Sequence, residues 1–171
     1  RELFLAGVNV SLWCPFPLRK DLTQRHFDYA NWIGIQNLKQ KPEPKEDSLW
    51  IEALFGLGQS KVISKEIIDL LNLKKKLNSN KLISIDVPAG LCSETGNVIS
   101  NTACRSSLTL TVGLYKYGLI QDKAINFVGD LERIDIGIPK EIVAHLPDNQ
   151  PLRITFSDLA TFDWPKPERN K

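Results

Sequence analysis

Two rhythms of apolar and polar positions run along these 171 residues. Val8-Asn9-Val10-Ser11-Leu12-Trp13 alternates with the two-residue period of a strand, and a turn follows around Pro15 and Pro17. Residues 21–33 place Phe27, Ala30 and Ile33 at helical spacing, and residues 34–39 read as a short strand. Beyond the polar loop Lys41-Pro42-Glu43-Pro44-Lys45-Glu46-Asp47, residues 48–55 are mostly apolar, as expected of a strand buried on both faces of a parallel sheet. Ser64 is placed to cap a helix that runs through Ile67, Ile68, Leu70 and Leu71 to about Asn78. Residues 82–86, 107–112 and 131–136 read as three further strands. Arg1-Glu2-Leu3-Phe4-Leu5-Ala6-Gly7 reads as the last turns of a helix, with Gly7 as its stop. Strands alternating with helices of about a dozen residues predict βαβ units joined by right-handed crossovers.

Composition narrows this picture. An apolar share of 42% and a charged share of 25% are those of an ordinary globular chain of about one domain. A net charge of +2 gives no reason to expect nucleic acid, and the basic run Lys74-Lys75-Lys76 reads as a solvated helix face. No apolar stretch reaches the roughly 18 residues of a membrane helix, and no signal peptide is visible. Cys14, Cys92 and Cys104 are odd in number and widely spaced, without a CxxC pair, which predicts free thiols in a reducing cytoplasm. The chain contains no Met, opens inside a helix and closes on the Pro-rich, charged run from Asp163 to Lys171. Both edges therefore read as cut from a longer polypeptide.

Ligands of open α/β sheets bind beyond the carboxyl ends of the strands, so the loops there carry the candidate chemistry. Gly56-Leu57-Gly58-Gln59-Ser60 follows one strand, and its glycines would let backbone approach a ligand near a helix start. The loop lacks the third glycine of a dinucleotide fingerprint, because Lys61 stands there, so a plain tight turn is equally open. Asp86-Val87-Pro88-Ala89-Gly90-Leu91 follows the next strand, and a carboxylate ending a buried strand is a candidate general acid/base. An Asp that only caps its own turn is the alternative. Glu52, alone in an apolar strand, calls for a cation or hydrogen-bond partner unless it lies on an exposed edge. Lys116 would meet a phosphate or adenosine group, or stand solvated at a strand end. Cys92 reads as a small buried residue, and neither His26 nor His145 flanks a motif, which argues against a nucleophile–His pair or a zinc site.

Taken in order, these segments resemble a known family. Glu52-Ala53-Leu54-Phe55-Gly56-Leu57-Gly58, Asp86 to Leu91, Thr95-Gly96, Thr109 to Gly113, Lys116 to Leu119, Val128 to Leu131 and Asp135 to Pro139 are similar to the successive signatures of the NAD(P)H-hydrate epimerase domain, or YjeF N-terminal domain. The likeness covers about residues 1–140. It implies a Rossmann-like three-layer α/β sandwich with a mostly parallel sheet, here without its first strand and the Asn- and Gly-rich loop that should precede Arg1. It divides the chain into the domain, residues 1–150, and a linker, residues 151–171, since Trp164-Pro165-Lys166-Pro167 resembles the lead into a fused ATP- or ADP-dependent dehydratase domain.

The implied activity is interconversion of the R and S epimers of hydrated NADH and NADPH (NADHX and NADPHX). The likeness implies that Gly56, Leu57, Gly58, Gln59, Ser60, Lys61 and Val62 line the substrate. Asp86 would bind it and carry the catalytic proton. It also implies a potassium ion at Glu52 and Ala89. The family usually has Asp and Ser at those two positions. Glu must shift to offer its oxygens, and Ala has only a backbone carbonyl to give, so a weakened site is expected. Nucleic acid and membrane are not among the expected partners, and homo-oligomerisation stays open. A non-catalytic nucleotide-binding or scaffolding domain is the competing reading, and an ordinary NAD-dependent dehydrogenase is disfavoured by the missing fingerprint.

Overall fold

A computed structural model describes residues 1–99 and 101–147, so the linker expected at residues 151–171 lies outside the described residues. The chain divides into two compact units, Arg1–Ser48 and Leu49–Lys171.

In the first unit, α1 (Glu2–Leu5) ends where Gly7 takes a φ of 86°. The amides of Gly7 and Val8 bond back to the carbonyls of Phe4 and Leu3 at 2.9 and 3.0 Å, the paired closure that a left-handed glycine permits. β1 (Ser11–Leu12) and β2 (Gln36–Asn37) form a two-rung parallel ladder on either side of α2 (Asp21–Trp32) in sequence. The strand expected over residues 8–13 is thus shorter, because a ladder extends only as far as its partner. One further bond, from the Leu38 amide to the Leu12 carbonyl at 2.7 Å, closes its end.

The second unit holds a four-stranded, all-parallel sheet. Its order is β3 (Trp50–Glu52), β4 (Leu82–Ile85), β5 (Leu108–Val112) and β6 (Asp130–Ile134). α3 (Lys65–Leu77) joins β3 to β4, α4 (Ile125–Val128) precedes β6, and α5 (Lys140–Ala144) follows it. This is the parallel α/β class that the alternation of elements predicted. Leu82, Ser84, Thr109 and Thr111 are buried on one face of the sheet, where Ile68 and Leu71 of α3 pack with Leu82. A second cluster joins Val87, Leu91, Leu119, Ala124 and Val128. The other face presents Ile83, Ile85, Leu108, Leu110 and Val112, all half-buried. A parallel sheet buried on one face, with hydroxyls at Ser84, Thr109 and Thr111, and half-buried and apolar on the other fits a Rossmann-like three-layer sandwich.

Two expectations need correction. Residues 48–55 give only the three-residue β3, and Ile51 is 46% exposed, so this strand is not buried on both faces. Among the described residues β3 lies at the sheet edge, where one side of a strand has no neighbour. The basic run on α3 is not a uniform solvated face either. Lys74 is fully buried because it continues the stripe of Ile67, Leu70 and Leu71 one turn on, while Lys76 is exposed.

On β5, the buried Thr111 hydroxyl finds no hydrogen-bond partner among the described residues. Valine has nearly the same shape and no oxygen to desolvate. Thr111→Val is therefore expected to stabilise the domain by about 1 kcal/mol. A urea unfolding midpoint that falls in the variant would count against this.

Candidate active site

The carboxyl ends of β3, β4 and β5 converge on one carboxylate. At the end of β4, Asp86 takes a φ of 71°, the left-handed region that Asp tolerates better than most residues. It is the one non-glycine residue with positive φ among the described residues. Its amide still bonds to the Leu110 carbonyl at 2.8 Å, so the turn is pinned to β5 as it leaves the sheet. One carboxylate oxygen, Oδ1, accepts the Val112 amide at 3.2 Å and an ion-paired hydrogen bond from the Lys116 ammonium. Lys116 is only 8% exposed and also donates to the Val112 carbonyl at 2.7 Å. The other oxygen, Oδ2, faces Gly56: a Cβ placed there would lie 2.7 Å from it. A side chain at position 56 would therefore push the Asp86 carboxylate from its place.

The loop after β3 is tied to the loop after β4. Gln59 accepts the Gly90 amide at 3.0 Å through Oε1 and donates to the Lys61 carbonyl at 3.3 Å through Nε2. Leu57, Gly58, Ser60, Lys61 and Val62 are exposed along the same loop. Seven residues expected to line a substrate therefore form one wall, with Gly56 and Gln59 at its contact with the Asp86 loop. Neither of two hollows, about 290 Å³ beside Ile120 to Lys123 and about 480 Å³ among Leu12, Leu18, His26 and Phe27 of the first unit, includes this wall.

Beneath the wall lies a buried polar chain. Glu52, 4% exposed, accepts the Ser84 hydroxyl at 2.5 Å and the Ala89 amide at 3.0 Å through Oε1, and the Leu54 amide at 3.3 Å through Oε2. Ser84 is hydrogen-bonded in turn to Ser106, whose hydroxyl lies 3.8 Å from the Cys104 sulfur. Burial raises the Glu52 pKa above the usual carboxylate range, and the bonds from Ser84, Ala89 and Leu54 offset part of that rise. The Cys104 thiol is pushed up to about 12, first by burial and then by the nearby Glu52 charge. Such a thiol is inert at neutral pH.

A cation at Glu52 and Ala89 needs oxygens from both residues. The two do meet, but Ala89 offers its N–H to the carboxylate, and its carbonyl is taken by the Cys104 amide at 2.8 Å. The three donors around Glu52 take three of the roughly four lone-pair sites of its carboxylate, both of those on Oε1 and one on Oε2. The donor set present does not fit potassium. Among the described residues, no three His, Cys, Asp or Glu side chains gather as a metal site.

Lys116 is the residue that sequence reasoning misplaced. It is neither solvated nor free for a phosphate, because it is buried against Asp86. The available signal was its position just beyond β5, the parallel neighbour of the strand that Asp86 ends. Ser84 and Ser106 were missed altogether, although Ser84 alternates with Leu82 on the buried face and sits opposite Glu52 in register. Cys92 is half-buried, not buried, in a turn where a hydrogen bond from the Thr95 hydroxyl foremost lowers its thiol pKa. His26 and His145 are both exposed.

A carboxylate held at the carboxyl ends of a parallel sheet, beside a glycine loop, stands where open α/β sheets carry their ligand sites. The chain belongs to the YjeF-related protein N-terminus family, whose model matches residues 1–118 and so contains the wall, Asp86 and Lys116. It is 32% identical over 168 residues to the bifunctional NAD(P)H-hydrate repair enzyme Nnr of Gloeobacter violaceus, covering 96% of this chain and 33% of that protein. The enzyme of the same name from Thermosynechococcus vestitus is 33% identical over 160 residues, covering 92% of this chain and 31% of that protein. The NAD(P)H-hydrate epimerase of Leuconostoc mesenteroides is 28% identical over 156 residues, 89% of this chain and 69% of that protein. The chain thus spans about a third of the length of its bifunctional relatives. No helix among the described residues is long and apolar enough to cross a membrane.

Proposed function

We propose that this chain supplies an NAD(P)H-hydrate epimerase activity, interconverting the R and S forms of NADHX and NADPHX as part of a repair protein with a fused hydrate dehydratase. The observation that carries the reading is Asp86, fixed between the Gly56 loop and the buried Lys116 at the sheet's carboxyl edge. Relatives named bifunctional NAD(P)H-hydrate repair enzyme, and others named NAD(P)H-hydrate epimerase, support it. Three free thiols suit a reducing cytoplasm, where nicotinamide nucleotides turn over.

The chemistry follows from the substrate. The hydrated ring carries a hydroxyl on the carbon beside its nitrogen, so loss of that hydroxyl leaves a cation shared with the nitrogen. Water returning to the opposite face inverts the centre. Asp86 in its protonated form hands a proton to the departing hydroxyl, and the carboxylate this leaves, paired with Lys116, takes the proton back from the returning water. Lys116 fixes the carboxylate through Oδ1 and leaves Oδ2, on the Gly56 side, for the substrate. The wall from Gly56 to Val62 positions the nucleotide with its ring against Asp86.

The test uses the full-length protein and the R epimer of NADHX, with the appearance of S followed by chromatography. Conversion well above the spontaneous rate is expected. A rate equal to the protein-free control removes the enzyme reading and favours the scaffolding one.

A further inference from the structure

We infer that hydrogen bonds inside this chain take the place of a monovalent cation: Glu52 joins the loops after β3 and β4 by holding Ser84, Leu54 and Ala89, and potassium has no part in the site. The inference concerns the site of the proposed epimerase but rests on donor geometry alone.

A potassium ion between two loops acts as a cross-link, drawing carboxylate, hydroxyl and carbonyl oxygens toward one point. Here the cross-link is already made without it. Glu52 Oε1 reaches from β3 to the Ala89 amide in the loop after β4, at 3.0 Å, and to the Ser84 hydroxyl of β4 at 2.5 Å. Its Oε2 closes back on the Leu54 amide of its own loop at 3.3 Å. Oε1 is thus filled by two donors and Oε2 is engaged by a third, and each of their N–H or O–H groups would be turned toward a cation entering at the same point.

The residue opposite cannot supply the missing oxygen. Ala89 is fully buried and has no hydroxyl, and its carbonyl is committed to the Cys104 amide at 2.8 Å. Freeing that carbonyl would cost a backbone bond in the interior, where unpaired groups are costly. The longer side chain of Glu52 explains how the span is closed: one extra methylene brings the carboxyl group up to the neighbouring loop's amide. Ser106 and Cys104 extend the network further in, from the Ser84 hydroxyl to the Cys104 sulfur.

The experiment takes the full-length protein and its Glu52→Gln variant without substrate. Thermal unfolding is measured in potassium chloride and in choline chloride at equal ionic strength, and retained rubidium is measured by equilibrium dialysis. A cation present at about a hundred times its dissociation constant raises a transition by roughly 5 to 10 °C. Equal transitions in both salts for the native protein, with no rubidium retained, are the expected result. A potassium-specific rise in the native protein, or rubidium retained by it and lost on Glu52→Gln, overturns it. If the variant does not fold, the native salt comparison decides alone. Because no substrate is present, a failed epimerase assay leaves this result standing, and the reverse holds too.

Discussion

Asp86→Asn is expected to lower kcat/KM for epimerisation by roughly 10²–10⁴-fold, the range that one positioned acid/base contributes. Asparagine keeps the shape of the side chain and can still accept the Val112 amide that Oδ1 now takes at 3.2 Å. What it loses is the ability to give and recover a proton. Its amide group would also face the Gly56 side, where Oδ2 now stands. Lys116 loses its charged partner but keeps the Val112 carbonyl at 2.7 Å, so a stability loss of about 1–3 kcal/mol accompanies the change. The assay is therefore run well below the unfolding transition, with circular dichroism confirming the fold. An Asp86→Asn protein that epimerises at the native rate would dismiss Asp86 as the proton carrier and leave it a structural partner of Lys116.

The parts of the fold and the site that could be read from the sequence share a cause. The α3 helix was legible within a residue at each end, because Ile67, Ile68, Leu70 and Leu71 repeat at helical spacing over three turns. β4 and β5 were legible because short runs rich in Leu, Ile, Val and Thr have the length and composition of strands. Asp86 and the Gly56 loop stood out as polar and glycine residues at strand ends, and the structure brings them within contact of each other. The rest depends on information that one strand does not carry. The three-residue length of β3 is set by its neighbour's register, not by the apolar run of residues 48–55. Lys74 lies on the buried stripe of α3, but three consecutive lysines suggest solvent before position on the helix is counted. Lys116 meets Asp86 across 30 residues of chain, so the pairing follows from strand order and not from spacing. Glu52 raised the right question, and the answer was a hydroxyl from the neighbouring strand.

Gly118→Ala is expected to lower the thermal transition of the domain by roughly 6–12 °C, which corresponds to about 3 kcal/mol of overpacking in a domain of this size. A Cβ at position 118 would stand 2.4 Å from the Cys92 carbonyl oxygen, 2.6 Å from the Gly96 nitrogen and 2.7 Å from the Ser93 carbonyl carbon. All three are backbone atoms, so no side-chain rotation relieves the clash. The contact is reciprocal. A Cβ on Gly96 would lie 2.5 Å from the Gly118 carbonyl oxygen, and the Gly118 amide donates to the Ser93 carbonyl at 2.8 Å. Two glycines thus let the loop after β4 and the tight turn of residues 117–120 touch backbone to backbone. That turn begins at Lys116, whose carbonyl accepts the Leu119 amide at 3.0 Å. Pushing the turn outward therefore draws Lys116 away from Asp86, and the variant should lose epimerase activity at temperatures where it is still folded. Gly58→Ala makes the useful contrast. Its φ of 82° disfavours a side chain, but nothing lies within 4 Å of the added carbon. Its cost should stay near 1 kcal/mol, the strain of one left-handed residue. Melting followed by circular dichroism separates the two, and a Gly118→Ala transition no lower than that of Gly58→Ala would refute the backbone contact as the element that holds Lys116 in place.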